Sequence, residues 1–177
     1  WVVEKLHAAG TLVMNMVGQP KPAAKALALG CDIICAQGGE GGGHTGEVAT
    51  SILIPKVVDL VRGHKSPLTG KQVAVVAAGG IYDGRGLAMA LSLGADAVWV
   101  GTRFVASTEA GAPKRHKQGV VECSVHDTTR TLVFTGRPPH SLERESLFIA
   151  HMSIYGNQDL VFTGRPPHSL ERESLFI

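Results

Sequence analysis

Cysteine, uninterrupted apolar stretches and excess charge are all scarce in this sequence, and each scarcity excludes something. The 3 cysteines among 177 residues, Cys31, Cys35 and Cys123, are too few and odd in number for a disulfide framework. They suit a reducing compartment, the cytoplasm in the simplest reading. Cys31 and Cys35 are expected on one strand and one face of it, as packed thiols. No partner stands near them at the spacing a zinc site needs, so no metal is expected. No apolar run approaches the ~18 residues that span a bilayer, which excludes an integral membrane protein. The net charge is only +2, and no dense Lys/Arg tract provides a footprint for nucleic acid.

What is present is apolar and rich in glycine. Hydrophobic residues make up 44% and charged residues 18% of the chain, enough to bury a core and too apolar for a disordered chain. The 22 glycines gather in a few loops. The chain begins at Trp1 inside an amphipathic stretch that Gly10 closes as a helix C-terminal glycine. The expectation is therefore a sequence whose beginning lies upstream, together with any targeting signal.

From residue 11 one rhythm repeats four times: a short apolar run, a Gly- or Pro-bearing turn, then a helical pattern. The runs are residues 11–17, 31–36, 73–78 and 95–100. The helical patterns span residues 23–29, 51–62, the stretch capped by Asp83 and ended by Gly94, and residues 107–118. The runs are nearly continuous in Val, Ile and Ala, the pattern of parallel strands buried on both faces. Strand and helix alternating at this spacing make βα units. Four such units are half of a (β/α)8 barrel, which typically takes ~250 residues.

Beyond residue 120 the rhythm stops. The stretch LVFTGRPPHSLERESLFI at residues 132–149 recurs without mismatch at residues 160–177. Two identical copies without drift do not make a solenoid. They read as a recent duplication or an error of gene assembly, and the tail is expected to be irregular and to lie outside every βα unit.

Three segments stand at strand C-termini, where α/β enzymes place their sites. The first, residues 36–46, reads AQGGEGGGHTG. Glycine in this density lets backbone approach a ligand closely at a conformational cost. His44 inside it can serve as base, donor or ligand, while Glu40 reads as a loop-orienting or solvated carboxylate. The second and third, AAGGI at 77–81 and WVGTRF at 99–104, follow consecutive strands and together form a phosphate cradle of backbone amides. Barrels commonly hold phosphate with the loops after strands 7 and 8. These runs then become the last two strands, and the first two runs become strands 5 and 6.

On the glycine-rich loop with its GGH element, AAGGI and GTRF, the sequence resembles the nitronate monooxygenases, formerly 2-nitropropane dioxygenases, over roughly residues 1–137. The resemblance implies FMN as cofactor and His44 as catalytic base. It implies Gln37 and Gly42, with Gly43 beside it, at the flavin, and Gly79, Gly80, Trp99, Val100, Gly101 and Thr102 at its phosphate. It further implies oxidation of nitroalkanes or alkyl nitronates by O2 to a carbonyl compound and nitrite, without nucleic-acid or membrane partners. Residues 1–120 are then the C-terminal half of the FMN-binding TIM barrel. Residues 121–177 are a remnant of the substrate-covering segment with the duplicated tail. The loop departs from the family in reading GGEGGGHTG where many members carry bulkier residues, and the family's N-terminal glycine loop and Asn are absent. Two rivals remain: an FMN-dependent enoyl reductase on the same barrel, and a non-catalytic fragment. Four units alone are expected to leave open sheet edges and to be inactive.

Overall fold

The computed structural model describes residues 1–130, 139–142 and 160–163. The chain opens with helix α1 (Val2–Ala8) and strand β1 (Met14–Val17), then α2 (Pro20–Ala28) and β2 (Ile33–Gln37). A two-residue strand β3 (Gly43–His44) precedes α3 (Thr50–Val61) and β4 (Ala74–Ala78). Next come α4 (Gly84–Ser92), β5 (Ala97–Val100), α5 (Thr102–Val105) and α6 (Lys114–Glu122). Three further strands are β6 (Thr128–Arg130), β7 (Pro139–Leu142) and β8 (Leu160–Thr163).

The four apolar runs are the four strands of a parallel sheet in the order β1-β2-β4-β5. Register sets Met16 beside Cys35 and Cys35 beside Val76. One step further along the strands, Gln37 stands beside Ala78, and Ala78 beside Trp99. Both faces of β2, β4 and β5 are covered, whereas Asn15 and Met16 of the edge strand β1 are exposed. Ile34, Ala36, Val75, Ala77 and Val98 pack with Leu53, Ile54, Val57 and Val61 of α3 in the larger apolar cluster. Cys35, Val76, Ala78 and Ala97 form a second cluster with Met14, Ile33 and Trp99. Burial on both sides explains why β2, β4 and β5 lack the polar alternation of a half-exposed sheet.

The two cysteines do not share a face. β2 begins at Ile33, so Cys31 lies before the strand and packs in the larger cluster, whereas Cys35 belongs to the second. Both are buried and free. Burial pushes the Cys31 thiol up, and the Asp32 carboxylate beside it adds to that shift.

At the N-terminal end of the sheet, aspartates join neighbouring strands. Asp32, 3% exposed, accepts from the Val13 N–H at 2.7 Å and from the Ser66 hydroxyl at 2.5 Å. Its Oδ2 also lies 2.8 Å from Nε2 of His7 on α1. Asp96 repeats the device, accepting from the Val75 N–H at 2.9 Å. Each follows a glycine that ends a helical stretch, Gly30 and Gly94, by two positions.

Two expectations about the C-terminal region are corrected. No single helix spans residues 107–118: α5 ends at Val105, and α6 begins only after Pro113. Proline disfavours helical backbone at the residue before it and lacks an N–H to donate, so a helix cannot run through Ala112 and Pro113. Lys117 of α6 reaches back to the Ser107 carbonyl at 2.6 Å. Nor is the tail wholly irregular. β7, from the first repeat copy, pairs antiparallel with β6 and with β3. β8, from the second copy, pairs antiparallel with β5, so the last parallel strand is not an open edge. The rest of both copies lies outside the described residues.

Candidate functional site

A parallel sheet aims its strand C-termini at one side, and the loops there must meet if the strands are adjacent. Here the glycine-rich loop meets all three of its neighbours. A Cβ on Gly18, after β1, would come within 2.6 Å of the Gly46 N. Only glycine at that point permits the loop to close against the first strand. On the other side the Gly38 N–H donates to the Ala78 carbonyl at 2.9 Å. At its tip, Gly42 approaches Thr102, whose Oγ1 would be 3.0 Å from a Cβ there.

Gln37 ends β2 on the same face as Cys35, which turns it into the mouth of the sheet. Its Nε2 donates to the Gly42 carbonyl at 3.3 Å, folding the loop over its own strand. After β4 the chain turns through Gly79 (φ +96°) and Gly80 (φ +69°). Two successive residues in the left-handed region form a turn that L side chains resist. The turn leaves Asp83 to cap α4, where its carboxylate accepts from the Arg85 and Gly86 N–H groups. Hydrogen bonds from the Arg85 side chain and then the Gly86 N–H hold the Asp83 carboxyl below the usual carboxylate range. No side chain caps α5, which begins directly after Gly101.

These loops enclose a cavity of about 580 Å³, within the range of small-molecule sites. Of the residues singled out in the sequence, Gln37, Gly42 and Gly43 line it from the glycine-rich loop, and Gly79 and Gly80 from the next. Trp99, Gly101 and Thr102 line it from β5 and the turn that follows. Val100 does not. It is buried in the larger cluster and borders a separate cavity of about 210 Å³ under Tyr82 and Phe104. His44 directly follows the lining glycines, in β3, where its backbone stands opposite Pro139.

Sequence reasoning missed Met16, Tyr82 and Arg103, which also line the cavity. Met16 is readable as the residue just before the end of the first strand. Tyr82, 56% exposed, was signalled by an aromatic directly after AAGGI. Of the two roles open to Glu40, the structure shows the first. It orients the loop: its carboxylate accepts from the Thr50 N–H (3.2 and 3.0 Å) and the Thr50 hydroxyl (2.8 Å) at the start of α3.

Comparison with known proteins finds the same organisation elsewhere. The chain is 42% identical over 144 residues to an octahydroindene carboxyl-CoA dehydrogenase of Rhodococcus jostii, covering 81% of this chain and 38% of that protein. It is 44% identical over 124 residues to a nitronate monooxygenase of Neurospora crassa, covering 68% and 32%. FabK from Thermotoga maritima superposes with a TM-score of 0.71 at 38% identity, over 85% of this chain and 46% of that one. Nitroalkane oxidase from Streptomyces ansochromogenes superposes at 0.70 and 36% identity, over 80% and 41%. The chain thus spans less than half the length of these proteins, and its parallel sheet and helices form four units of a TIM-barrel fold. The nitronate monooxygenase family model matches residues 1–150. With loops, cavity and fold in agreement with that match, the chain belongs to the nitronate monooxygenase family.

Proposed function

We propose that these residues form the phosphate-holding and base-bearing part of an FMN-dependent enzyme that oxidises nitroalkanes or alkyl nitronates with O2 to a carbonyl compound and nitrite. The observation that carries this reading is the convergence of the glycine-rich loop and the two later loops on one cavity. The loops suit FMN. A Cβ at Gly79 would intrude within 2.9 Å of backbone atoms of Gly38, and the turns present backbone where a phosphate needs N–H donors. Gly79, Gly80, Gly101 and Thr102 would hold the phosphate, and the Trp99–Val100 backbone would lead into that turn. Gln37, Gly42 and Gly43 would border the ring. FMN, when bound, supplies the electron transfer that the side chains cannot.

His44 takes the α-proton. That proton is acidic yet slow to leave carbon, and a neutral imidazole, with an ordinary pKa of ~6.5, is matched to its removal near neutral pH. When the substrate arrives already as nitronate, His44 has only to hydrogen-bond it. Residues 1–120 act as the flavin-binding barrel segment and residues 121–177 as part of the substrate cover. The 177 residues by themselves hold FMN phosphate but do not complete turnover, because the relatives bring more than twice this length to the task.

A second reading, dehydrogenation of a CoA thioester, draws on the Rhodococcus jostii relative, which is similar over a longer stretch than the Neurospora crassa one. One experiment separates the two. The chain is joined to the first half of a nitronate monooxygenase barrel, and nitrite release is measured with a primary nitroalkane and with its pre-formed nitronate. His44→Asn is expected to slow the nitroalkane by about 10²–10⁴, the worth of general-base assistance. FMN content should hold and the nitronate should suffer much less. Equal losses on both substrates remove the base assignment. No nitrite from either, together with oxidation of a CoA thioester, selects the second reading.

A further inference from the structure

A loop with six glycines from Gly38 to Gly46 has more backbone freedom than a site can use. Each glycine surrenders more conformational entropy on ordering than any other residue. Something outside the loop must hold it. The bonds that hold it are the Gly41 N–H to the Gly38 carbonyl, the Gly39 N–H to the Val48 carbonyl, the Gly38 N–H to the Ala78 carbonyl, the Gln37 amide to Gly42 and the short pairing of β3 with β7. None of these ties its middle to the Gly79–Gly80 turn.

Thr50 stands where the missing restraint is needed. It is 3% exposed, and it fills the space that glycines of both loops leave. A Cβ on Gly38 would collide with the Thr50 backbone and hydroxyl, and a Cβ on Gly79 would come within 2.9 Å of the same hydroxyl. Its Oγ1 lies 2.8 Å from Glu40 Oε2 and 2.9 Å from the Gly79 carbonyl oxygen. The hydroxyl has one hydrogen to donate, and both acceptors compete for it, one from each loop. The Thr50 N–H adds a second bond to the Glu40 carboxylate. Glu40 in turn lies against the phosphate turn, since a Cβ on Gly80 would be 3.2 Å from its Cβ.

We infer that Thr50 and Glu40 are a positioning pair: they lock the His44-bearing loop to the Gly79–Gly80 turn, so that base and flavin phosphate keep one mutual geometry. The inference rests on the flavin reading for its purpose but not for its existence. A plain helix cap would serve α3 alone. This pair couples two loops separated by about 30 residues of chain, and preorganising both together removes an ordering cost from ligand binding.

The test uses the 177-residue chain and three variants: Thr50→Val, which keeps the shape and removes the hydroxyl, Thr50→Ser, which restores it, and Glu40→Gln. Amide hydrogen exchange is followed in residues 38–46 and 79–82, with residues 53–61 and the sheet as internal reference. Thr50→Val is expected to raise exchange in both loops together by about tenfold, the factor one well-placed hydrogen bond carries. Glu40→Gln should do so by less, and Thr50→Ser should stay within about twofold of the parent. Faster exchange confined to the first turn of α3, or spread evenly through the sheet, overturns the inference. FMN titration by flavin fluorescence runs alongside. Coupled exchange, with no FMN bound by the parent chain even when it is joined to the first half of a nitronate monooxygenase barrel, leaves the pair standing and sinks the flavin reading. FMN binding without coupled exchange does the reverse.

Discussion

The two ends of the sheet are joined by opposite chemistry. At the N-terminal end, carboxylates reach across to the backbone of a neighbouring strand: Asp32 to Val13 and Asp96 to Val75. At the C-terminal end, backbone meets backbone at Gly18 with Gly46 and at Gly38 with Ala78, with the Glu40–Thr50 pair as a side-chain link between loops. A buried carboxylate with its acceptor sites filled stabilises the fold and offers nothing to a ligand. A glycine turn costs conformational entropy but presents N–H groups that a ligand can take. The comparison separates stability from binding along the strand direction, as barrels do in general.

The largest effect is expected from Asp32→Ala, which strips one end of that comparison. It leaves the Val13 N–H and the Ser66 hydroxyl without their acceptor and removes the His7 contact. Each buried donor left unsatisfied costs ~1–3 kcal/mol, so urea unfolding should show a loss of about 3 kcal/mol. FMN affinity measured well below the unfolding midpoint should be unchanged. A fall in affinity would mean that the two ends are not separable.

Gly79→Ala probes the opposite end. A left-handed φ of +96° combined with a methyl 2.9 Å from Gly38 backbone should cost ~1–2 kcal/mol of stability. It should weaken FMN binding by about tenfold or more as the turn shifts, a tenfold change being ~1.4 kcal/mol. Fluorescence titration and thermal melting on the same preparation decide the order of the two effects. If stability alone changes, the turn is structural.

The smallest effect belongs to Asp83, a carboxylate placed at the ligand-facing end but used as a cap. Its pKa is lowered in the folded chain, first by the Arg85 side-chain hydrogen bond and then by the Gly86 N–H. The ionised form is therefore favoured by folding, and its contribution is complete above the ordinary carboxylate value of ~3.9. It is lost as pH falls through the lower folded value. The melting difference between the parent and Asp83→Asn should stay constant from neutral pH down to about 5 and shrink below about 4. A difference that grows on acidification would reverse the sign.

Much of this was legible in the residues. β2, β4 and β5 are strands whose Val, Ile and Ala are buried on both faces, and the Met-bearing β1 is the edge of the same sheet. Asp83 caps α4 where a turn precedes a helical pattern, and Gly94 closes that pattern. The repeated Gly-x-Asp at 30–32 and 94–96 was there to be read and marks the N-terminal staples. The apolar periodicity over residues 107–118 does not become one helix because Pro113 interrupts it. Cys31 and Cys35 do not share a face because the strand starts two residues later than its apolar run.

The sequence by itself determined the alternation of strand and helix and the places where backbone had to be bare, because apolar runs, caps and glycines act over a few neighbouring residues. Only the tertiary structure decided which bare places meet. Thr50 comes between Gly38 and Gly79, Gly46 settles on Gly18, and Val100 turns away from the cavity that Trp99 faces. Each of these depends on the register of parallel strands whose partners lie tens of residues apart. A one-residue slip would reverse every side chain, and no local pattern records that register.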